Sequence, residues 1–188
     1  MMVKRTLEVS LAIIGIVVCG PLLILVALAV ALTSRGPVLH WSARVGRHNQ
    51  IFRMPKFRTM RVDTPQVATH LLDDPNRWFT PIGPLLRRTS IDELPQMWSI
   101  LVGDIGIVGP RPALFNQSDL IELRTKAGVD TLLPGLTGWA QVNGRDNLSI
   151  SDKVKLDAEY LERRCFRMDL VIILMTIKKV FRQQGISH

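Results

Sequence analysis

The feature that most limits how this chain can fold is Leu11 to Leu32, an apolar run without a charge that is interrupted near its centre by Gly20-Pro21. As a straight helix it would be about 33 Å long, enough to cross a hydrocarbon core of about 30 Å. Proline removes a backbone donor and clashes with the preceding turn, so the helix is predicted to break there. Each half is then too short to span. Lys4 and Arg5 precede the run and Arg35, Arg44 and Arg47 follow it, so both ends carry the charge normally kept on the cytoplasmic side. A segment that enters, turns and returns satisfies both ends. A straight span and a secretory signal compete; for the signal, Ala27-Leu28-Ala29 resembles a cleavage site, but the run is long. The expected organisation is a re-entrant helix over 1–35 and a cytoplasmic, membrane-associated domain over 36–188, α+β and mainly helical.

With 188 residues, 47% hydrophobic, the chain can bury a core and is not a disordered polymer. Its net charge of +8 asks for an acidic partner. Residues 1–65 hold nine Lys or Arg against Glu8 and Asp63, so the excess lies beside the apolar run. That placement favours membrane phospholipid or a phosphorylated substrate over nucleic acid, for which no base-reading module is present. Cys19 and Cys165 form no paired motif, and the four histidines are scattered, which argues against zinc or a disulfide framework.

Chemistry concentrates in Thr89 to Gln96, where Asp92 and Glu93 follow Arg87-Arg88. Ser90 and Glu93 have capping-box spacing, and Leu94, Trp98 and Leu101 then share a helical face. Acids in a first helical turn are commonly there to complement the dipole. With cations holding a phosphate, however, an Asp can attack phosphorus. Lys56-Phe57-Arg58-Thr59-Met60 offers alternating cations, or else an exposed strand. Arg111, fixed between Pro110 and Pro112, suits phosphate recognition, or else marks a tight turn. Gln141, and Arg145 after the Asn143-Gly144 turn, are further binding candidates, while Trp139 reads as core or interfacial packing, or else as a ring that stacks on a nucleobase. Short strands are expected at 38–41 and 50–54 around a turn, some helix at 66–72, and helices at 118–126, from Ser151, and at 168–182. Leu170, Ile173, Leu174 and Ile177 form an apolar stripe on the last, bracketed by basic residues, which suits an anionic membrane surface or packing on the core.

Taken together, the broken N-terminal helix, Lys56 to Met60, Asp92-Glu93-Leu94-Pro95-Gln96, Gly103-Asp104, Val108 to Pro112 and Pro134 to Arg145 resemble the bacterial sugar transferase family of monotopic phosphoglycosyl transferases, in its minimal catalytic form. The resemblance implies transfer of a sugar-1-phosphate from a UDP-sugar to polyprenyl (undecaprenyl) phosphate with release of UMP. The setting would be the cytoplasmic face of the bacterial inner membrane, ahead of downstream glycosyltransferases in polysaccharide, lipopolysaccharide or exopolysaccharide assembly. It also implies a ping-pong route through an aspartyl-phosphosugar intermediate on Asp92, with Mg²⁺ bound by Asp92 and the diphosphate. Glu93 would serve catalysis or capping, and Lys56, Arg58, Arg87, Arg111, Gln141 and Arg145 would bind substrate. The small members of the family suggest an N-acetylated amino sugar. The family's helix commonly breaks at Ser-Pro; Gly20-Pro21 lacks that hydroxyl. Two other readings are a membrane-bound UDP-sugar pyrophosphatase and a basic anchored binding protein without chemistry.

Overall fold

The structure, a computed structural model, describes residues 2–65, 74–144 and 147–182. It opens with helix α1 (Met2–Thr33), which passes through Gly20-Pro21 without an interruption in its helical assignment. The predicted break is therefore not an unwinding of the helix. One stripe of α1 faces the rest of the protein: Glu8, Ala12, Val26 and Val30 are buried, and Leu23 and Ala27 pack beside them. Their spacing follows the helical repeat. The opposite face exposes Leu11, Ile14, Val18, Leu25, Leu28 and Leu32. By length and composition α1 can cross a membrane, and its most apolar window has a mean hydropathy of 3.0.

Strands β1 (Leu39–Val45) and β2 (Ile51–Phe57) form an antiparallel hairpin longer than the sequence indicated, turning through Gly46–Gln50. His40 lies opposite Lys56, and Arg44 opposite Phe52, so alternate residues of the two strands share a face. Strand β4 (Ala113–Leu114) pairs antiparallel with β1 to complete a three-stranded sheet, order β2-β1-β4. A separate parallel pair joins β3 (Gly106–Val108) to β5 (Gly135–Thr137). Short helices α2 (Gly83–Arg88) and α3 (Met97–Val102) flank a 3-10 helix at Ile91–Gln96. Helices α4 (Ser118–Lys126), α5 (Trp139–Val142), α6 (Ile150–Arg163) and α7 (Phe166–Arg182) complete the mainly helical α+β arrangement.

Three apolar clusters hold these parts together. Val26 and Val30 of α1 meet Phe57 and Leu86; Ala12 of α1 meets Ile100 and Ile105; Val108, Val129, Leu132, Val142, Tyr160 and Ile172 form the third. Helix α6 starts one residue before the expected Ser151, and its cap is Ser149, whose hydroxyl accepts from Asp152 N–H. On α7 the buried apolar position among the described residues is Ile172, whereas Leu170, Leu174 and Ile177 face outward. Most of the apolar stripe read from the sequence is thus a free surface rather than core. The helix expected at 66–72 lies outside the described residues.

Candidate active site

Asp92 and Glu93 sit in the first turn of a helix as expected, but it is the 3-10 helix and not an α-helix, and Ser90 does not cap it. Ser90 adopts a left-handed conformation (φ 56°, ψ 16°), while its carbonyl accepts from Glu93 N–H. The capping-box expectation fails because the Glu93 side chain is drawn elsewhere. Pro95, inside the segment, cannot donate and keeps the turn short. Of the residues expected to share a helical face, Trp98 is exposed while Leu101 packs on the second cluster.

Glu93 Oε1 accepts from Lys56 Nζ at 2.9 Å and from Arg111 Nη2 at 2.8 Å. Burial alone would raise its pKa, but the Arg111 and Lys56 charges and hydrogen bonds hold it well below the usual carboxylate range. Asp92 differs. It is 7% exposed, and among the described residues no hydrogen bond or ion pair reaches its carboxylate. Burial pushes its pKa up to about 6, against the opposing pull of Lys56, with Glu93 adding to the rise and Arg87 and Arg111 resisting it. One carboxylate is held by cations through hydrogen bonds, and the other is held by none among the described residues.

The cations come from four elements. Lys56 ends the hairpin, and burial lowers its pKa although Glu93 opposes the shift. Arg87 closes α2, donating Nε–H to Thr59 Oγ1 at 2.9 Å with its guanidinium 5.0 Å from the Phe79 ring centroid. Arg111 follows β3. Arg44 on β1 is the member the sequence reading missed: it donates to Ser42 Oγ and to the Pro112 carbonyl, and burial, then the nearby Arg111, lower its pKa to about 10. Its signal was its place in the hairpin, on the same face as Lys56. Among the described residues, four cations lie around the two carboxylates, donors of the kind that bind a diphosphate.

The Arg111 segment is built for close approach. A Cβ on Gly109 would lie 2.3 Å from the Leu133 carbonyl oxygen, and Gly109 N–H donates to the Thr137 carbonyl. Arg124, another residue the sequence did not single out, donates Nη1–H to the Arg111 carbonyl at 2.8 Å and pairs with buried Asp157 at 2.6 Å. Nothing in its surface-helix pattern marked it.

The remaining site expectations fall elsewhere. Arg58 is 4% exposed, and its guanidinium donates to the Ser34 and Arg35 carbonyls and to Ser34 Oγ, closing the end of α1 instead of joining the cluster. Neither is it an exposed strand cation. Gln141 donates to the Leu136 carbonyl, and its buried Oε1 has no hydrogen-bond partner among the described residues. Arg145 lies outside the described residues. Trp139 packs against the third cluster and donates Nε1–H to Glu159. Among the described residues no group of three or more His, Cys, Asp or Glu gathers to hold a metal. Asp92 could still supply one oxygen to a Mg²⁺ whose other ligands are substrate phosphates and water, the usual habit of that ion.

Comparison with known proteins joins these parts. The family model described as "Bacterial sugar transferase" matches residues 1–183. The chain is 40% identical over 189 residues to the uncharacterized sugar transferase EpsL of Bacillus subtilis (strain 168), covering 100% of this chain and 92% of that protein. It is 38% identical to the galactosyl transferase CpsE of Streptococcus agalactiae serotype III (strain NEM316), covering 97% of this chain and 43% of the relative. With the UDP-glucose:undecaprenyl-phosphate glucose-1-phosphate transferase of Escherichia coli (strain K12) it shares 37% identity over 96% of this chain and 40% of the relative. The chain thus spans less than half of the last two proteins, yet nearly all of it is matched by each. From α1 through the two carboxylates to Arg111 and beyond, the chain belongs to the bacterial sugar transferase family.

Proposed function

We propose that the protein transfers a sugar-1-phosphate from a UDP-sugar to undecaprenyl phosphate, releasing UMP, with Asp92 as nucleophile. The observation that carries the reading is the division between the two carboxylates: Glu93 is covered by Lys56 and Arg111, while Asp92 is buried among cations with no hydrogen bond to its carboxylate among the described residues. An Asp92 oxygen attacks the sugar-linked phosphorus as the phosphorus–oxygen bond to UMP breaks and the electron pair leaves with UMP. An oxygen of the lipid phosphate then attacks the same phosphorus, and the Asp92 carboxylate leaves. Lys56, Arg87, Arg44 and Arg111 offset the phosphate charge, and Glu93 holds two of them in place. Mg²⁺, held by Asp92 and the diphosphate, would supply further charge neutralisation.

The acceptor is a lipid, and α1 fits a re-entrant membrane segment. Supporting this, Arg5 near one end of α1 and Val30 near the other both contact the same domain, as a segment that enters and returns requires. The outward stripe of α7 suits the same surface.

The test offers UDP-glucose, UDP-galactose and UDP-N-acetylated amino sugars with Mg²⁺ and undecaprenyl phosphate, and measures UMP and lipid-linked sugar. One donor should yield both, and a phosphosugar should be trapped on the wild-type chain but not on Asp92→Asn. UMP without lipid product would make the enzyme a pyrophosphatase. No UMP from any donor would overturn both enzymatic readings.

A further inference from the structure

Glu8 is a carboxylate set in the first turns of a membrane helix and is only 6% exposed. Burying such a group is costly unless it is partnered. Its Oε1 accepts from the backbone N–H of Ile107 at 3.1 Å, in the centre of β3. The space for it is provided by Gly106, where a Cβ would lie 2.8 Å from the same oxygen. Beyond Ile107 the chain runs through Val108, Gly109 and Pro110 into Arg111, whose guanidinium reaches Glu93. One helical turn earlier, Arg5 donates to the Ile100 and Leu101 carbonyls near the end of α3, the helix that follows Asp92 and Glu93. Lys4 pairs with Asp169 at 2.8 Å, Tyr160 also donates to Asp169, and the Tyr160 hydroxyl lies 3.4 Å from the Val108 carbonyl. The start of α1 therefore grips the segments on both sides of the Glu93–Arg111 pair.

We propose that Glu8 is a positioning residue for sugar-phosphate transfer, fixing β3 from the membrane helix so that Arg111 meets the donor diphosphate. This rests on the reading of Arg111 as a donor-phosphate contact. A charged acceptor on the Ile107 N–H resists displacement of β3 along its length, and small misplacements of a binding group are expensive in rate.

The test measures kcat/KM separately for the UDP-sugar that releases UMP and for undecaprenyl phosphate, in Glu8→Ala, Glu8→Gln and Arg111→Ala, and in the Glu8→Ala/Arg111→Ala double variant. Glu8→Ala should lower the donor constant about tenfold and the lipid constant less than about twofold. Glu8→Gln keeps an acceptor oxygen and should recover to within about threefold of wild type. In the Arg111→Ala background, the Glu8 change should move the donor constant by less than about twofold. If Glu8→Ala does not accumulate, Gly106→Ala displaces the carboxylate without removing it and should reproduce the donor-specific loss. Equal losses in both constants, or full additivity with Arg111→Ala, would overturn the proposal while leaving the Arg111 reading intact. A donor constant unchanged in Arg111→Ala would remove that reading and the proposal with it.

Discussion

At the residue scale, the two adjacent acids are separated by what covers them, and that difference can be titrated. Asp92 has a folded pKa of about 6 against an ordinary value of 3.8. Between those values the folded chain keeps a proton that the unfolded chain has lost, so stability falls as pH rises from about 4 to about 6, and the full cost stands above 6. Removing the charge should relieve it. Asp92→Asn, without substrate or Mg²⁺, should unfold at a higher temperature than wild type at pH 8, by up to about 3 kcal/mol in stability, and the gap should close by pH 4. Thermal unfolding in detergent reads this directly; equal stability at pH 8 would mean that the carboxylate is not held at a cost. The adjacency of Asp92 and Glu93 was legible in the sequence, but the division between them was not. It depends on Lys56 and Arg111 converging from distant segments, and local spacing pointed instead to Ser90.

At the element scale, the sequence showed α4 and the existence of the hairpin, because apolar periodicity and turn residues act locally. It did not show the destination of Arg58. The Lys56-x-Arg58 spacing suggested two cations facing a diphosphate, but β2 ends at Phe57, and Arg58 turns to the carbonyls just after α1. A cation there also complements the C-terminal end of the helix dipole. Arg58→Met should therefore behave as a lost helix closure, costing about 2–3 kcal/mol in thermal unfolding because the buried guanidinium's charge-assisted bonds to the Ser34 and Arg35 carbonyls are lost. Per folded molecule, its kcat/KM for the UDP-sugar should stay within about twofold of wild type. A selective loss of donor kcat/KM without a stability change would return Arg58 to the phosphate site.

At the scale of the whole molecule, the question is how a helix about 48 Å long serves a domain proposed here to act on a lipid phosphate and a water-borne nucleotide sugar. Arg5 and Glu8 are bonded to Leu101 and Ile107, while Val26 and Val30 pack on Phe57 and Leu86 of the same domain. A straight span would carry one end to the far side of the bilayer and break one of these sets, including a buried carboxylate's partner. The charge pattern of the sequence pointed to a returning segment; the contacts add that both halves are packed to one body, although the helix is not unwound at Pro21. In a background with Cys19 and Cys165 replaced by Ser, Thr6→Cys and Pro37→Cys should both react with a membrane-impermeant thiol reagent in inside-out vesicles, and neither in right-side-out vesicles. Labelling of the two positions from opposite sides would reject the re-entrant arrangement, and the contacts of Glu8 and Val30 could not then coexist in the membrane-bound protein.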